Sequence, residues 1–288
     1  MLKSVFQKIK FKNMRLFNVF FMIVFCLTIF STKVLAEEHR TQIWVSDPWL
    51  YVIVKFIGGV YCDVHPISFW DENGDIVKVS NVPRGSYVFV LYRGQEKSKK
   101  LGISVKHSRI VPIYENKPSG LDNDCYFLDP SVLPFFALGA MRSISAIDTE
   151  HYSYYQRRLA EFQTRLDSVV RVGRQLLWDV EIYDFTDYLG GWFKAVSGKS
   201  RQFFECTNGY NKKTSKITLE ELTKRILSIK ARKGIIVYSS NLPKEILSVL
   251  KKVPLKVKFG YPSENQDFFV YLYELNLSVW NAFRLATS

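Results

Sequence analysis

Apolar residues recur every three or four positions along an uninterrupted stretch in the middle of the chain, residues 148–177. This spacing keeps them on one face of a helix, while the charged residues between them face water. Asp148 is placed to cap the start of the helix, and Gly173 is its one weak position. At about 1.5 Å per residue the helix would be roughly 45 Å long, which favours a rod joining two lobes. One long helix packed inside a single domain is the alternative.

Short apolar runs alternate with amphipathic stretches on both sides of this helix, a pattern typical of parallel-sheet α/β proteins. Asp47 and Pro48 are a good cap and first residue for the earliest of the predicted helices. Residues 69–75 are predicted to be a polar loop. The strands are predicted over residues 42–45, 60–65, 86–92, 109–113, 180–183, 202–206, 234–238 and 255–259. The other helices are predicted over residues 49–57, 131–147, 186–196, 218–232, 243–251 and 268–285.

The first 36 residues have the features of an export signal. Five basic residues precede the apolar run Leu16–Phe30, and Val34-Leu35-Ala36 suits a signal peptidase. The apolar run is shorter than the roughly 20 residues that a comfortable membrane span needs. We therefore predict cleavage near Ala36 and a periplasmic mature chain, with an uncleaved anchor as the alternative. Met14 is an alternative initiator, because the basic region before the apolar run is unusually long.

Charge and cysteine content narrow the classes of function. The net charge is +13, and the export signal contributes six of the positive charges, which leaves about +7 on the mature chain. These charges are scattered and no nucleic-acid motif accompanies them, so nucleic acid is not an expected partner. Three cysteines remain, Cys62, Cys125 and Cys206, and the sequence does not choose which two would pair. No Ser/His/Asp set, phosphate loop or Cys-x-x-Cys pair indicates an enzyme.

Three segments follow one another in a recognisable order: Val45–Asp63, Phe127–Arg165 with its Leu-Asp-Pro at residues 128–130, and Tyr183–Leu189 followed by residues 218–234. In this order and spacing the chain resembles the metal-receptor class of ABC-transporter solute-binding proteins, which bind zinc or manganese. The resemblance spans most of residues 40–262. It implies two parallel-sheet α/β lobes joined by a single long backbone helix. The corresponding parts are a signal peptide (1–36), an N-terminal lobe (37–147), the backbone helix (148–178) and a C-terminal lobe (179–288).

The resemblance also implies a function: an extracytoplasmic, monomeric receptor that delivers Zn²⁺ or Mn²⁺ to an ABC permease in the inner membrane. Proteins of this family hold the metal between the lobes with histidines and a carboxylate, an N/O ligand set that suits these ions. The positions that match the family's metal ligands are Asp75, Cys125, Tyr183 and Tyr261. The residues that could complete a rearranged site are Asp184, Glu72 and His65.

An aspartate, a cysteine and two tyrosines make a poor metal cage, because a tyrosine with a pKa near 10 is rarely ionised. The alternative interpretation is that these four residues fill a closed or repurposed cleft. The protein would then be a metal-free paralogue that acts as an extracytoplasmic interaction or adhesion protein. His65 lies in an apolar strand, and we interpret it first as a core histidine with satisfied hydrogen bonds and only second as a ligand.

Overall fold

Two parallel sheets of four strands each organise the residues that the computed structural model describes, which are 40–97, 103, 105–117, 127–186, 188–202, 219–230, 234–239, 242 and 244–287. The first sheet belongs to the N-terminal half of the chain, residues 41–147, and the second to the C-terminal half, residues 182–287. This architecture confirms the predicted α/β class with parallel sheets. The predicted signal peptide and both ends of the predicted helix 218–232, namely residues 218, 231 and 232, lie outside the described residues.

The N-terminal sheet has the strand order β2-β1-β5-β6. Its helix α1 begins where the sequence places it, because one carboxylate oxygen of Asp47 accepts hydrogen bonds from the backbone N–H groups of Trp49 (2.9 Å) and Leu50 (3.0 Å). Pro48 fills the first helical position, where no N–H is needed. The elements of this half are β1 (Thr41–Val45), α1 (Pro48–Gly58), β2 (Cys62–Pro66), β3 (Ser68–Trp70), β4 (Ile76–Lys78), β5 (Tyr87–Tyr92), β6 (Arg109–Tyr114) and α2 (Leu133–Ile147).

The segment predicted as a polar loop, residues 69–75, forms the turn of a β-hairpin together with the last two residues of its first strand. Strands β3 and β4 pair antiparallel, with Phe69 opposite Val77. The sequence did not reveal this hairpin, because each strand has only three residues and the apolar residues of β4 lie on an exposed surface. The connecting turn keeps the predicted polar character, and Gly74 adopts a positive φ of 85° within it.

A helix of 26 residues, α3 (Tyr152–Leu177), follows the N-terminal half. It begins four residues later than predicted, because the Asp148 carboxylate binds the side chains of His151 and Tyr155. The helix packs against α1 and α2 of the N-terminal half and against the helices α4 and α7 of the C-terminal half. Phe162 shows this double contact, since its ring packs on Phe56 of α1 and on Phe269 of α7.

The C-terminal sheet has the strand order β10-β9-β7-β8. Its elements are β7 (Ile182–Phe185), α4 (Gly190–Val196), β8 (Arg201–Gln202), α5 (Leu219–Lys230), β9 (Ile235–Tyr238), α6 (Lys244–Leu250), β10 (Lys256–Lys258) and α7 (Phe268–Thr287). The predicted order of strands and helices is therefore observed in this half. The predicted strand at 202–206 is described only at its first residue.

One large hydrophobic core runs from the N-terminal half through α3 into the C-terminal half, and a smaller core lies among α5, α6 and strands of the C-terminal sheet. Residues 41–288 form one compact unit, and the predicted lobe boundaries stay a prediction.

Cys62 is a free, buried thiol, whereas Cys125 and Cys206 lie outside the described residues. In the described part of the chain, no helix is both long enough and apolar enough to cross a membrane.

Candidate functional site

Aromatic side chains from both halves meet where the parallel strands end. Trp49 follows β1, Trp70 ends β3, Tyr188 follows β7 and Tyr261 follows β10. Ligands of open α/β sheets bind in the crevice outside the carboxyl ends of the strands, so this is the region where a binding site is expected. We call these four residues, together with Tyr271 of α7, the aromatic cluster.

The rings of the cluster are in direct contact. Tyr261 lies between Trp70 and Tyr188, with ring centroids 4.9 Å and 4.2 Å apart and planes inclined by only 16° and 27°. Trp49 packs edge-on against Trp70 at 4.5 Å and lies 5.9 Å from Tyr188. Such separations are those of packed aromatic pairs, and they leave no room for a ligand between the rings.

Two tyrosine hydroxyls of the cluster bind the backbone of the segment that carries Tyr261. Tyr188 donates a hydrogen bond to the carbonyl oxygen of Phe259 (3.2 Å), and Tyr271 donates one to that of Gly260 (3.0 Å). Burial raises the pKa of the Tyr271 hydroxyl, which keeps this donor protonated. These hydroxyls therefore fix the Tyr261 segment against the C-terminal half, and as protonated donors they are poor metal ligands.

The Trp49 ring is almost fully buried, and its indole Nε1–H has no hydrogen-bond acceptor among the described residues. A buried donor without an acceptor costs about 1–3 kcal/mol. Two residues earlier, burial raises the pKa of the Asp47 carboxyl to about 6, although the backbone N–H groups of Leu50 and Trp49 favour its charged form. The entrance to α1 thus combines a half-buried carboxyl group with a buried indole.

Of the four positions that match the family's metal ligands, the structure brings one, Tyr261, into the cluster. Tyr183 is buried in the smaller core of the C-terminal half, and its hydroxyl donates a 2.6 Å hydrogen bond to Glu181. Asp75 is exposed in the turn of the hairpin, directly before β4. Cys125 lies outside the described residues. The metal-ligand role of these four positions stays a prediction.

The three substitute ligands lie on different elements of the fold. Asp184 is buried, and one of its carboxylate oxygens accepts hydrogen bonds from the backbone N–H (2.8 Å) and the hydroxyl (2.6 Å) of Thr186. Glu72 is exposed in the hairpin turn. His65 is half-exposed rather than part of the core, and it contacts Gln42 at 2.9 Å and Asp63 at 3.2 Å. Across the described residues, no group of three or more His, Cys, Asp or Glu side chains could hold a metal ion.

The sequence pattern did not single out Trp49, Trp70 or Tyr188 as a group. Their shared signal is positional, because Trp49 and Tyr188 each come within four residues of the end of a parallel strand. Trp70 could not have been found this way, since the strand that it ends was predicted to be loop.

Comparison with known structures gives strong matches to binding proteins. The SBP FpvC from Pseudomonas aeruginosa in complex with Mn²⁺ matches with a TM-score of 0.61 and 13% identity over 86% of this chain and 99% of that chain. The laminin-binding protein Lbp of Streptococcus pyogenes matches with a TM-score of 0.60 and 15% identity, covering 84% and 98% of the two chains. The periplasmic zinc-binding protein TroA from Treponema pallidum matches with a TM-score of 0.59 and 11% identity, covering 85% and 99%.

The chain has the metal-receptor binding-protein fold. This confirms the resemblance inferred from the three sequence segments at the level of the fold. Two of these structures are named for what they bind, laminin and zinc, and the third was determined in complex with Mn²⁺. A scan against protein-family models and a search of curated proteins give no match.

Proposed function

We propose that this protein is an exported protein of the metal-receptor fold that acts through contacts with another protein and holds no metal ion between its halves. The observation that carries the proposal is the stack of Trp70, Tyr261 and Tyr188 in the region where the strands of both sheets end. Rings from both halves fill this region, so apolar contact takes the place that metal coordination would have.

The electrostatics of the cluster support the same proposal. Zn²⁺ and Mn²⁺ need deprotonated or neutral nitrogen, sulfur and oxygen ligands at about 2.0–2.3 Å, with several converging on one point. The Tyr188 and Tyr271 hydroxyls are hydrogen-bond donors to backbone carbonyls instead. Lbp is named for its binding of laminin, a protein, rather than of a metal ion. The fold is therefore compatible with protein binding.

The second candidate is the transport role, in which the chain would deliver Zn²⁺ or Mn²⁺ to an ABC permease of the inner membrane. The specific observation in its favour is the shared fold with FpvC, whose structure was determined in complex with Mn²⁺, and with the zinc-binding protein TroA. A metal would then need a rearranged ligand set that includes Cys125. The two candidates differ in one measurable property, which is saturable binding of the metal.

Calorimetric titration of the mature chain, residues 37–288, tests the proposal after metal removal with EDTA under reducing conditions. Zn²⁺ and Mn²⁺ are titrated in turn, and TroA, which is named as a zinc-binding protein, serves as the positive control of the same fold. We expect no saturable heat and no rise in melting temperature. A ligand present at 100 times its Kd would stabilise the folded state by about 2.7 kcal/mol, a shift that thermal unfolding detects easily.

The Cys125→Ala variant separates the two candidates further. One-to-one binding in the micromolar range or tighter that Cys125→Ala weakens would overturn the proposal and establish a rearranged metal site. Equal melting temperatures of both chains with and without metal would support it.

A further inference from the structure

Strand β4 carries an unusual run of exposed apolar side chains. Ile76, Val77 and Val79 are 52%, 40% and 50% exposed, in a stretch of four residues where only Lys78 is polar. Burying such side chains against a partner would gain free energy in proportion to the apolar area removed from water. In the described part of the chain, β4 has a neighbouring strand on one side only, which is β3.

The hydrogen-bond pattern shows which backbone groups this open edge presents. In an antiparallel pair, residues alternate between those bonded to the opposite strand and those whose N–H and C=O point away from it. Val79 donates its N–H to Ile67, and Asp71 donates its N–H to Asp75, two pairs that lie in the register of Phe69 with Val77. The alternate residues, Ile76 and Lys78, therefore direct their N–H and C=O groups outward.

Side-chain hydrogen bonds fix the hairpin at both ends, so the edge is formed in the absence of a partner. The Asp71 carboxylate accepts the backbone N–H groups of Asn73 and Asp75 at 2.9 Å each. The other end is fixed where the Ser80 hydroxyl donates to the carbonyl oxygen of Pro66. Strand β3 is buried, and its Trp70 belongs to the aromatic cluster. A preformed edge lowers the entropy lost on binding.

The turn beside the edge is acidic. Asp71, Glu72 and Asp75 lie within five residues of the chain, with no basic residue among them, although the mature chain as a whole is basic. A segment that pairs with β4 would therefore gain from basic residues at the end that reaches the turn, through charge complementarity.

We propose that β4 is a docking edge for an extended segment of a partner protein, which pairs antiparallel with β4 and places basic residues beside the acidic turn. The partner supplies backbone hydrogen bonds to Ile76 and Lys78 and covers the exposed apolar side chains, as in recognition by strand addition. The antiparallel direction is the more stable one per residue, and it puts the carboxyl-terminal end of the segment at the turn. This inference rests on the proposed function, because it names the surface through which a protein partner would act.

A synthetic peptide tests the edge directly. The probe is acetyl-Thr-Val-Thr-Ile-Thr-Arg-Arg-amide with a fluorescent label, titrated with the mature chain and followed by anisotropy. The first control peptide carries the two arginines at the amino end, and the second has proline in place of valine. We expect saturable binding of the probe and weaker binding of the peptide that carries its arginines at the amino end. The proline peptide should not bind, because proline has no backbone N–H to donate at that position.

A proline at Lys78 blocks the edge while leaving the hairpin intact. Because the N–H of Lys78 points away from β3, Lys78→Pro removes an outward donor without breaking a bond to β3. The matched variant Lys78→Thr loses the same charge but keeps the N–H. We expect Lys78→Pro to weaken peptide binding at least about tenfold and Lys78→Thr to change it less than about threefold. Equal melting temperatures of the two variants verify that the hairpin is unchanged.

Three results would overturn the inference. The first is equal binding of the probe and the proline peptide, and the second is equal binding of the probe by Lys78→Pro and Lys78→Thr. The third is self-association of the mature chain in sedimentation that Lys78→Pro abolishes, which would assign the edge to a second copy of this chain. The metal titration described above is independent of these measurements, so a failure of the docking edge and a failure of the proposed function are distinguishable.

Discussion

The ring of Tyr261 stacks on the ring of Trp70, with centroids 4.9 Å apart and planes 16° from parallel. The first residue belongs to the C-terminal half of the chain and the second to the N-terminal half. Stacked aromatic pairs contribute about 0.5–1.5 kcal/mol beyond the area that they bury. Since Tyr261 also stacks on Tyr188, its ring links an aromatic side chain of each half.

We expect Tyr261→Ala to lower the free energy of unfolding by about 2–4 kcal/mol, because it removes the middle ring of the stack and leaves a cavity. Tyr261→Phe keeps the ring and should lower it by less than about 1.5 kcal/mol. Urea denaturation followed by circular dichroism measures both. The control is Tyr273→Ala, at an exposed position of α7, with an expected change within about 0.5 kcal/mol. A Tyr261→Ala variant as stable as this control would mean that the stack does not hold the halves together.

The sequence was informative where local chemistry decides the structure. Asp47 and Pro48 specify the start of α1 by themselves, because one residue supplies a hydrogen-bond acceptor and the other a fixed φ. The long helix was likewise visible from its apolar spacing. Its start at Tyr152 was not, because the partners of Asp148 are side chains that only the folded chain brings close.

Gly173 illustrates a feature that the sequence could show but not explain. It was recognised as the weak position of the long helix, and the structure gives the reason. A Cβ atom at this position would lie 2.8 Å from a methyl group of Val196 and 2.9 Å from the amide nitrogen of Asn276. Close approach of α4 and α7 to α3 therefore requires the glycine, and such long-range contacts leave no local trace in the sequence.

The resemblance to the family, rather than any local pattern, supplied the expected place of the site between two lobes. Its ligand positions stay a prediction, and Tyr261 is the one that lies in the aromatic cluster. Of the ligand positions carried over by resemblance, Tyr183 packs into the core of the C-terminal half, and Asp75 lies on a hairpin that the sequence did not reveal. Aromatic residues at strand ends carry no pattern that distinguishes a core contact from a site.

We expect Tyr155→Phe to destabilise the protein by about 1–3 kcal/mol. The Tyr155 hydroxyl donates a 2.5 Å hydrogen bond to Asp148, and it lies 3.5 Å from the buried thiol of Cys62. Burial opposes ionisation of Asp148, but the hydrogen bonds from Tyr155 and His151 outweigh it and lower the pKa of that carboxyl. Removing the hydroxyl takes away a donor to this largely buried carboxylate, which costs more than losing an exposed hydrogen bond.

The neighbouring Tyr154 provides the matched control. Its hydroxyl accepts a hydrogen bond from the N–H of Val60, an exposed residue whose N–H water can satisfy instead. Tyr154→Phe should therefore lower the unfolding free energy by less than about 1 kcal/mol, measured in urea at pH 7. If both variants lose the same stability, the Tyr155–Asp148 bond has no special role at the start of α3.

The last prediction concerns the pH dependence that Asp47 imposes. Burial raises the pKa of its carboxyl from 3.8 to about 6 in the folded protein. The folded state therefore binds a proton more tightly than the unfolded state. The resulting stabilisation is fully present below about pH 4 and is lost as the pH rises through 6. Asp47→Asn keeps a capping oxygen but cannot ionise, so it does not show this loss.

We expect the wild-type chain to lose about 1–3 kcal/mol relative to Asp47→Asn between pH 4 and pH 7. The measurement is the difference between the two unfolding free energies in urea at pH 4, 5, 6 and 7. Other carboxyl groups titrate in both proteins and cancel in this difference. A flat difference would mean that the N–H groups of Trp49 and Leu50 fully offset the burial of the charge. A difference of the opposite slope would mean that they overcompensate for it, as at an exposed helix cap, where the helix dipole favours a carboxylate.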